Sequence, residues 1–263
     1  MSKKITFSTV KPQGDNTKLE QDENGYYLVI LGGLNIFNEH GLIYMEEGVK
    51  DLVKNESTAF YRKLSRGYLK GEVNHPKWEQ GMSKDQYMAR CQVIDSDRVS
   101  HHIRELIFEQ TDINAGSPDG SKIILIKGWV KPSGPRGDEL KRDLDNPECN
   151  VPFSIRSFTL DDFSSRPIKK VIKQIITFDW VDEPGIQRAN KFSTLAGGSG
   201  LTSGNESFSS LDIALSSEDI TKMVNNASSI ECVGMESIDL KDSLNELQMI
   251  SKSSSKLNVF RNW

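Results

Sequence analysis

The stretch "KKVIKQIITFDWV" (169–181) decides the fold class, because its β-branched and aromatic residues favour a strand. Gly32 and Gly33 interrupt a second stretch of this kind, and a β-bulge is expected there. Strands are also predicted for each of the following stretches: "YYLVILGGLNIF" (26–37), "KIILIKGWV" (122–130) and "VPFSIRSFTL" (151–160). The chain is therefore expected to be built mainly of strands.

Helical spacing of apolar residues is rarer in this sequence. It predicts a helix over "MEEGVKDLVK" (45–54), and "STAFYRKLSRG" (57–67) either extends that helix or begins another one ending near Gly67. The stretch "RVSHHIRELIFE" (98–109) is compatible with either a helix or a strand. Together these patterns predict an α+β or barrel-like domain with few helices.

The composition changes near residue 193, where a glycine- and serine-rich segment begins. The sequence therefore predicts a body over residues 1–192 and a flexible appendage over residues 193–263. Two short patches in the appendage carry helix capping boxes, from Ser216 to Asp219 and from Ser243 to Glu246. Neither patch can bury much surface alone, so part of the appendage is expected to be disordered.

Composition and charge exclude several classes of protein. The 263 residues are 36% hydrophobic and 27% charged, and the net charge of −4 comes with no strong basic patch, which argues against a nucleic-acid partner. Cys91, Cys149 and Cys232 are isolated, which indicates a reducing compartment. No apolar run reaches about 18 residues, and the first ten residues lack the apolar region of a signal peptide. The sequence predicts a cytosolic protein without a membrane span.

Any base that works near neutral pH must come from four histidines. His75 lies in "LKGEVNHPKW" (69–78), where the following proline restricts the backbone and ends the element. His40 lies in a turn-like stretch, whereas His101 and His102 are neighbours and would point to opposite faces of a strand. His75 is therefore the best-constrained candidate, although a histidine before proline is by itself more often a loop residue.

A serine and an arginine lie two residues apart in "NVPFSIRSF" (150–158), so Ser154 and Arg156 would share one face of a strand. A nucleophilic serine needs a base within hydrogen-bonding distance and donors directed at the oxyanion, and Arg156 could supply or orient such donors. The alternative is an edge strand that exposes both side chains to water. The spacing alone favours this alternative.

A carboxylate that could orient the histidine follows the apolar run in "IITFDWVDEP" (175–184). Asp179 is the first candidate, because an aspartate bound to the second imidazole nitrogen fixes the tautomer of the base. Asp182 and Glu183 are neighbouring candidates that look more exposed. A carboxylate at the end of a strand is also common in proteins without this function.

Four segments occur in an order that resembles the prohead maturation proteases of tailed bacteriophages, which look like relatives of the herpesvirus assemblin-type serine proteases. These segments are "GEVNHP" (71–76), "RVSHHI" (98–103), "VPFSIRS" (151–157) and "TFDWVDEP" (177–184). In that family a Gly-Glu-Leu-x-His-Pro motif carries the catalytic histidine and a later Ser-x-Arg motif carries the nucleophile. An acidic residue or histidine about 25 positions further on completes the triad.

The resemblance spans roughly residues 26–190 and assigns the triad to His75, Ser154 and Asp179. The sequence departs from the family at Leu42, where arginine is usual, and at Ser157, where glycine is common. The Val-Ser-His segment around His101 is expected to be structural. The resemblance implies an α+β fold with a mostly antiparallel β-barrel core and flanking helices, similar to the herpesvirus proteases.

The resemblance also implies a biological role. It implies a precursor that assembles with scaffold inside the prohead, in the host cytoplasm, as a homo-oligomer that cleaves scaffold, core and capsid proteins and itself. Related enzymes cut after glutamate with a small or aliphatic residue two positions before it, which selects Glu218 and Glu246 in the tail. The matching "IFE" (107–109) should be protected in the core. No cofactor is expected, and the tail could instead be an uncut arm that docks on scaffold.

Two other functions fit parts of the sequence. A metal-dependent hydrolase could use His75, His101 or His102 with Glu105 or Cys91, but the chain lacks an HExxH motif and any CxxC pair. An internal scaffold or core protein of a virus particle would fit the acidic, serine-rich tail without being an enzyme.

Overall fold

A computed structural model describes residues 19–38, 40–111 and 120–195, together with a strand at Leu211–Ala214. In the described residues the fold is α+β, as the sequence predicted, and the strands are arranged in two sheets. No helix in these ranges is both long and apolar enough to span a membrane.

The first sheet has four strands, and every neighbouring pair in it is antiparallel. In spatial order they are β1 (Tyr27–Leu34), β6 (Ile124–Pro132), β5 (Val99–Gln110) and β4 (Lys70–Glu72). The register of β1 against β6 shifts between Ile30 and Gly32, which confirms the predicted bulge. The segment that could have been a helix or a strand is the long strand β5.

The second sheet has five strands and contains the predicted nucleophile. In spatial order they are β2 (Ile36–Phe37), β3 (Ile43–Tyr44), β8 (Lys169–Trp180), β7 (Phe153–Asp162) and β9 (Leu211–Ala214). β7 and β8 are antiparallel neighbours, whereas β9 runs parallel to β7 opposite Arg156–Thr159. Four residues of the predicted tail therefore extend this sheet.

Five short helices surround the sheets in the described ranges. They are α1 (Val49–Lys54), α2 (Ala59–Ser65), α3 (Lys84–Gln92), α4 (Gly137–Asp145) and α5 (Lys191–Leu195). The side chain of Thr58 caps the start of α2, so the region predicted as one or two helices contains two. α5 crosses the predicted boundary at residue 193, and Thr194 Oγ1 accepts a hydrogen bond from the Ile30 amide 2.9 Å away.

The predicted closed barrel is not formed in the described part of the chain, because the strands make two separate sheets. The sheets share one apolar core, which includes Leu31 and Ile126 from the first sheet and Phe153 and Phe178 from the second. An isolated bridge between Val73 and Trp180 joins the end of β4 to β8. The sheets therefore meet at a seam next to β4 instead of closing through a continuous ladder.

Gly71 makes the close approach at this seam possible. A Cβ atom at this position would lie 2.2 Å from the Phe178 carbonyl oxygen and 2.3 Å from the His101 ring, so only glycine fits without displacing β8. The seam consequently depends on the glycine of the "GEVNHP" segment. The tail positions Ser216, Glu218, Ser243 and Glu246 lie outside the described residues, as does Cys232.

Candidate active site

The seam brings His75 to the end of β8. β4 pairs with β5, and the chain then turns at Asn74, whose φ is +58° and whose amide donates to the Trp180 carbonyl 2.6 Å away. Asparagine tolerates this left-handed conformation better than most residues. The backbone of "GEVNHP" is thus tied to both sheets immediately before the histidine.

Ser154 and Asp179 are direct cross-strand partners in the β7–β8 pair. Directly opposite residues of antiparallel strands project from the same face of a sheet, so both side chains point to the side of His75. The three residues that the motifs selected as a triad are therefore brought together, although 104 positions separate His75 from Asp179.

The Asp179 carboxylate is completely buried and accepts four hydrogen bonds. Its Oδ2 lies 2.7 Å from His75 Nδ1 and 2.8 Å from Arg156 Nε, and its Oδ1 lies 2.8 Å from Arg156 Nη2 and 3.0 Å from the Glu72 amide nitrogen. Burial raises the pKa of Asp179, but the charge of Arg156 and the contacts with His75 outweigh it and hold this pKa well below its usual value. Asp179 is therefore ionised.

An ionised carboxylate can only accept hydrogen bonds, so His75 must donate from Nδ1 to Asp179. In the neutral ring, Nε2 is then the unprotonated nitrogen. Nε2 is buried and has no hydrogen-bond partner in the described part of the chain. The arrangement thus holds a base in one tautomer with its proton-accepting nitrogen unoccupied.

Ser154 is buried, and its hydroxyl is not hydrogen-bonded to His75 Nε2. Catalytic hydrogen bonds are often long or poorly aligned without substrate, so this gap is compatible with a nucleophile–base pair. The alternative interpretation, an edge strand exposing Ser154 and Arg156 to water, is wrong because both residues are buried. Burial instead places them in the seam between the sheets.

Arg156 shares the face of Ser154, but its guanidinium group binds carboxylates. Besides the two bonds to Asp179, its Nη1 lies 3.2 Å from Glu72 Oε1 and 2.8 Å from the Val93 carbonyl oxygen. Burial alone would lower the pKa of Arg156, but the charges of Asp179 and Glu72 outweigh it and raise this pKa above its usual value. The guanidinium group therefore stays charged. The predicted role in oxyanion stabilisation stays a prediction, since these contacts direct the guanidinium toward Asp179.

An apolar cavity adjoins Ser154 on β7. Its volume is about 10 Å³, which is room for about one water molecule, and its walls include Leu31, Tyr44, Ile155 and Ile186. This lining contains no cation that would bind a glutamate side chain.

The other histidines lie outside this constellation. His101 is fully buried between Ser100 Oγ and the Phe178 carbonyl oxygen, at 2.8 Å and 3.1 Å from its ring nitrogens, and burial lowers its pKa to about 4. This agrees with the structural role expected for the Val-Ser-His segment. His102 contacts the Tyr26 hydroxyl and the Gly67 carbonyl, and His40 is exposed.

The other candidates for the third triad residue and for a metal site do not join the His75–Asp179 pair. Asp182 and Glu183 are exposed, whereas Asp179 binds His75 directly. Burial raises the pKa of the Cys91 thiol to about 11, which disfavours a metal-binding thiolate. Within the described ranges, no group of three or more histidine, cysteine, aspartate or glutamate residues could hold a metal ion.

Glu72 lies at this site, but the sequence motifs did not assign it a role. It is fully buried and binds Arg156, yet the resemblance only marked it as the second residue of "GEVNHP". The one signal in the sequence was an acidic residue next to Gly71 in a short strand, and this does not reveal an arginine 84 positions away.

Comparison with known proteins agrees with the motifs and the geometry. The peptidase S80 family matches residues 5–250. The capsid maturation protease of Pseudomonas phage phiKZ is 36% identical over 192 residues, which cover 70% of this chain and 67% of that protein. No solved structure matches the chain, so the similarity to the herpesvirus protease fold stays a prediction. A family match over nearly the whole chain and a relative of this identity lead to one conclusion: the chain is a peptidase and belongs to the peptidase S80 family.

Proposed function

We propose that the chain is a serine endopeptidase in which Ser154 is the nucleophile, His75 the general base and Asp179 the residue that orients the base. One observation carries this proposal. His75 Nδ1 lies 2.7 Å from Asp179 while its buried Nε2 has no partner among the described residues, on the face of the sheet to which Ser154 belongs. A buried nitrogen without a hydrogen-bond partner costs stability, and a role in catalysis explains why the fold retains one.

The reaction follows from these positions. Ser154 Oγ attacks the carbonyl carbon of the peptide as its proton moves to His75 Nε2, and the ionised Asp179 stabilises the resulting imidazolium. When the carbon–nitrogen bond breaks, His75 returns the proton to the leaving amine. Water then attacks the acyl ester as His75 takes one of its protons. His75 gives this proton to Ser154 Oγ when the ester bond breaks, which releases the acid and regenerates the free enzyme.

The proposed substrates are capsid, scaffold and core proteins of an assembling phage particle, and the chain itself. The name of the phiKZ relative, a capsid maturation protease, supports this substrate class. In this proposal the enzyme works as a homo-oligomer inside the prohead, in the host cytoplasm, and shares ancestry with the herpesvirus proteases. Cleavage is proposed to follow glutamate, with a small or aliphatic residue two positions before it.

A covalent probe tests the nucleophile. The purified full chain is treated with a fluorophosphonate, and the intact mass and the modified peptide are determined. Labelling is expected at Ser154 and should be absent from Ser154→Ala. Ser157→Ala is the matched control, because Ser157 is also a buried serine of β7 whose hydroxyl has no hydrogen-bond partner in the described ranges. Labelling that survives in Ser154→Ala would contradict the assignment.

Self-cleavage is tested separately by incubating the full chain and measuring intact masses over time. The enzyme is proposed to cut within the tail, residues 193–263, and to leave new C-termini at Glu218 or Glu246. These products should be missing from Ser154→Ala. An unchanged mass in a preparation that cleaves other peptides would favour a docking arm instead.

A further inference from the structure

Glu72 is the most heavily bonded carboxylate in the described part of the seam besides Asp179. It ends β4, is 0% exposed, and receives Arg90 Nη1 and Nη2 at 3.1 Å and 2.6 Å. Arg156 Nη1 and the Asp95 amide approach the same carboxylate at 3.2 Å and 2.8 Å. A buried charge is costly unless it is paired and hydrogen-bonded, and this carboxylate has partners at both oxygens.

Glu72 reaches Asp179 by two routes. Its backbone amide donates to Asp179 Oδ1 at 3.0 Å, and its side chain binds Arg156, which in turn forms a two-point contact with Asp179. The guanidinium group is planar and rigid, so holding its Nη1 at Glu72 sets the plane of the Nε and Nη2 donors that face Asp179. The orientation of the Asp179 carboxylate is therefore set from the side of Glu72.

The orientation of Asp179 matters because one oxygen must serve two donors. Oδ2 accepts from both Arg156 Nε and His75 Nδ1, at 2.8 Å and 2.7 Å. If Arg156 shifted, the carboxylate would follow its stronger charged partner, and the His75 bond would lengthen or change oxygen. The ring could then adopt the other tautomer, in which Nε2 carries the proton and cannot act as a base.

We propose that Glu72 is a positioning residue: its carboxylate holds Arg156 against Asp179, and Asp179 then keeps the proton of His75 on Nδ1. The proposal rests on the proposed function for its effect on catalysis, but the effect on the tautomer exists whether or not Ser154 is the nucleophile. Arg156 links Glu72 to Asp179, so substitution of Arg156 should have the same effect on the His75 tautomer as substitution of Glu72.

The test is Glu72→Gln in the full chain, which keeps the shape of the side chain and removes its charge. Nitrogen NMR of histidine-labelled protein reports which ring nitrogen of His75 carries the proton. Wild-type protein should show the Nδ1–H form, and Glu72→Gln a mixture of both tautomers. The kcat for a peptide substrate should fall by about 10²-fold, since small displacements of catalytic groups have effects of this size, with KM nearly unchanged.

Asp161→Asn is the matched control. Asp161 forms a buried ion pair with Lys170 at 3.0 Å in the same two strands, so its loss disturbs the protein without touching the seam. This variant should retain the wild-type tautomer and kcat. Equal effects of Asp161→Asn and Glu72→Gln on His75 would overturn the proposal, as would a wild-type tautomer in Glu72→Gln.

Arg156→Lys covers the case in which Glu72→Gln does not fold. Lysine keeps the positive charge between the two carboxylates but cannot bridge them with a planar fork, so the tautomer mixture is again expected. An intact Nδ1–H form in folded Arg156→Lys refutes the proposal. If the tautomer shifts as expected but Ser154→Ala cleaves peptide as fast as wild type, the positioning role stands and the proposed serine mechanism fails.

Discussion

The β7–β8 pair contains two buried ion pairs, one at each end, and they differ in what they leave unpaired. Near the turn between the strands, Asp161 binds Lys170 at 3.0 Å, and Asp161 Oδ1 also accepts the Thr159 hydroxyl. At the seam, Asp179 binds Arg156 and additionally His75, whose Nε2 stays without a partner in the described part of the chain. A buried charge pair alone therefore does not mark a functional site, and the proposed site rests on the unpaired base that adjoins only the second pair.

The largest effect should come from removing that base. In the proposed mechanism His75→Ala lowers turnover of a peptide substrate by about 10⁴- to 10⁶-fold, the range known for triad histidines. His102→Ala is the control, because that ring hydrogen-bonds with the Tyr26 hydroxyl and the Gly67 carbonyl and packs edge-on against the Tyr26 ring, with no bond to Asp179. Steady-state kinetics measures the turnover of both variants. Comparable losses of turnover would contradict the assignment of His75 as the general base.

Neutralising the aspartate at each end separates catalysis from stability. Asp179→Asn should reduce turnover by about 10⁴-fold, because the amide no longer fixes the tautomer of His75. Asp161→Asn should leave turnover unchanged, while breaking its buried pair costs about 3–5 kcal/mol in the free energy of unfolding. Turnover and denaturant unfolding are measured on both variants. A similar loss of turnover in the two would show that the ends are not functionally different.

Substitution of Arg156 tests whether this residue acts through Asp179 or stabilises the oxyanion directly. Arg156→Ala should lower kcat by about 10²- to 10³-fold, with a smaller effect on KM. If Arg156 works through Asp179, adding Arg156→Ala to Asp179→Asn should cost little more than Asp179→Asn alone. If Arg156 stabilises the oxyanion directly, the two losses should add in the double variant. The cycle therefore decides between the role predicted from spacing and the role inferred from the contacts.

The smallest predicted effect is on stability at acid pH. The pKa of Asp179 is lower in the folded protein than its ordinary value of 3.8, so its contribution to stability is fully present above that value. As pH falls further, the unfolded chain takes up the proton first and the contribution is lost, with a slope of about 1.4 kcal/mol per pH unit. Asp179→Asn should lack this part of the slope in denaturant unfolding measured from pH 5 down to pH 2.

The sequence predicted local structure better than the meeting of distant segments. The strands at 122–130, 151–160 and 169–181 are present within a few residues, because β-branched runs act locally. The stretch 98–109 was ambiguous because only its pairing with β4 and β6 makes it a strand. The prediction of a closed barrel was wrong, because the strands form two sheets that meet at a seam. No local sequence pattern encodes such a meeting.

Only the order of short motifs selected His75, Ser154 and Asp179 together, and the structure pairs His75 with Asp179 and places Ser154 opposite Asp179. Burial of Ser154 contradicted what its spacing alone favoured, since the second sheet packs into the core there. The bond of the Glu72 amide to Asp179 joins positions 107 residues apart, and no periodicity reports such a contact. Strand β9 was missed for a similar reason, because a glycine- and serine-rich region gives little sign of pairing with β7.

The seam at Gly71 also has a consequence for the nascent chain. His75 emerges from the ribosome well before Asp179, which follows 104 positions later. At roughly 5–20 residues per second, translation needs about 5–20 seconds to cover that distance. During this interval the histidine lacks its carboxylate, and strand β7 with Ser154 is itself made only shortly before Asp179. If these residues act as proposed, the chain stays inactive during synthesis until β8 has been made and has folded against β7.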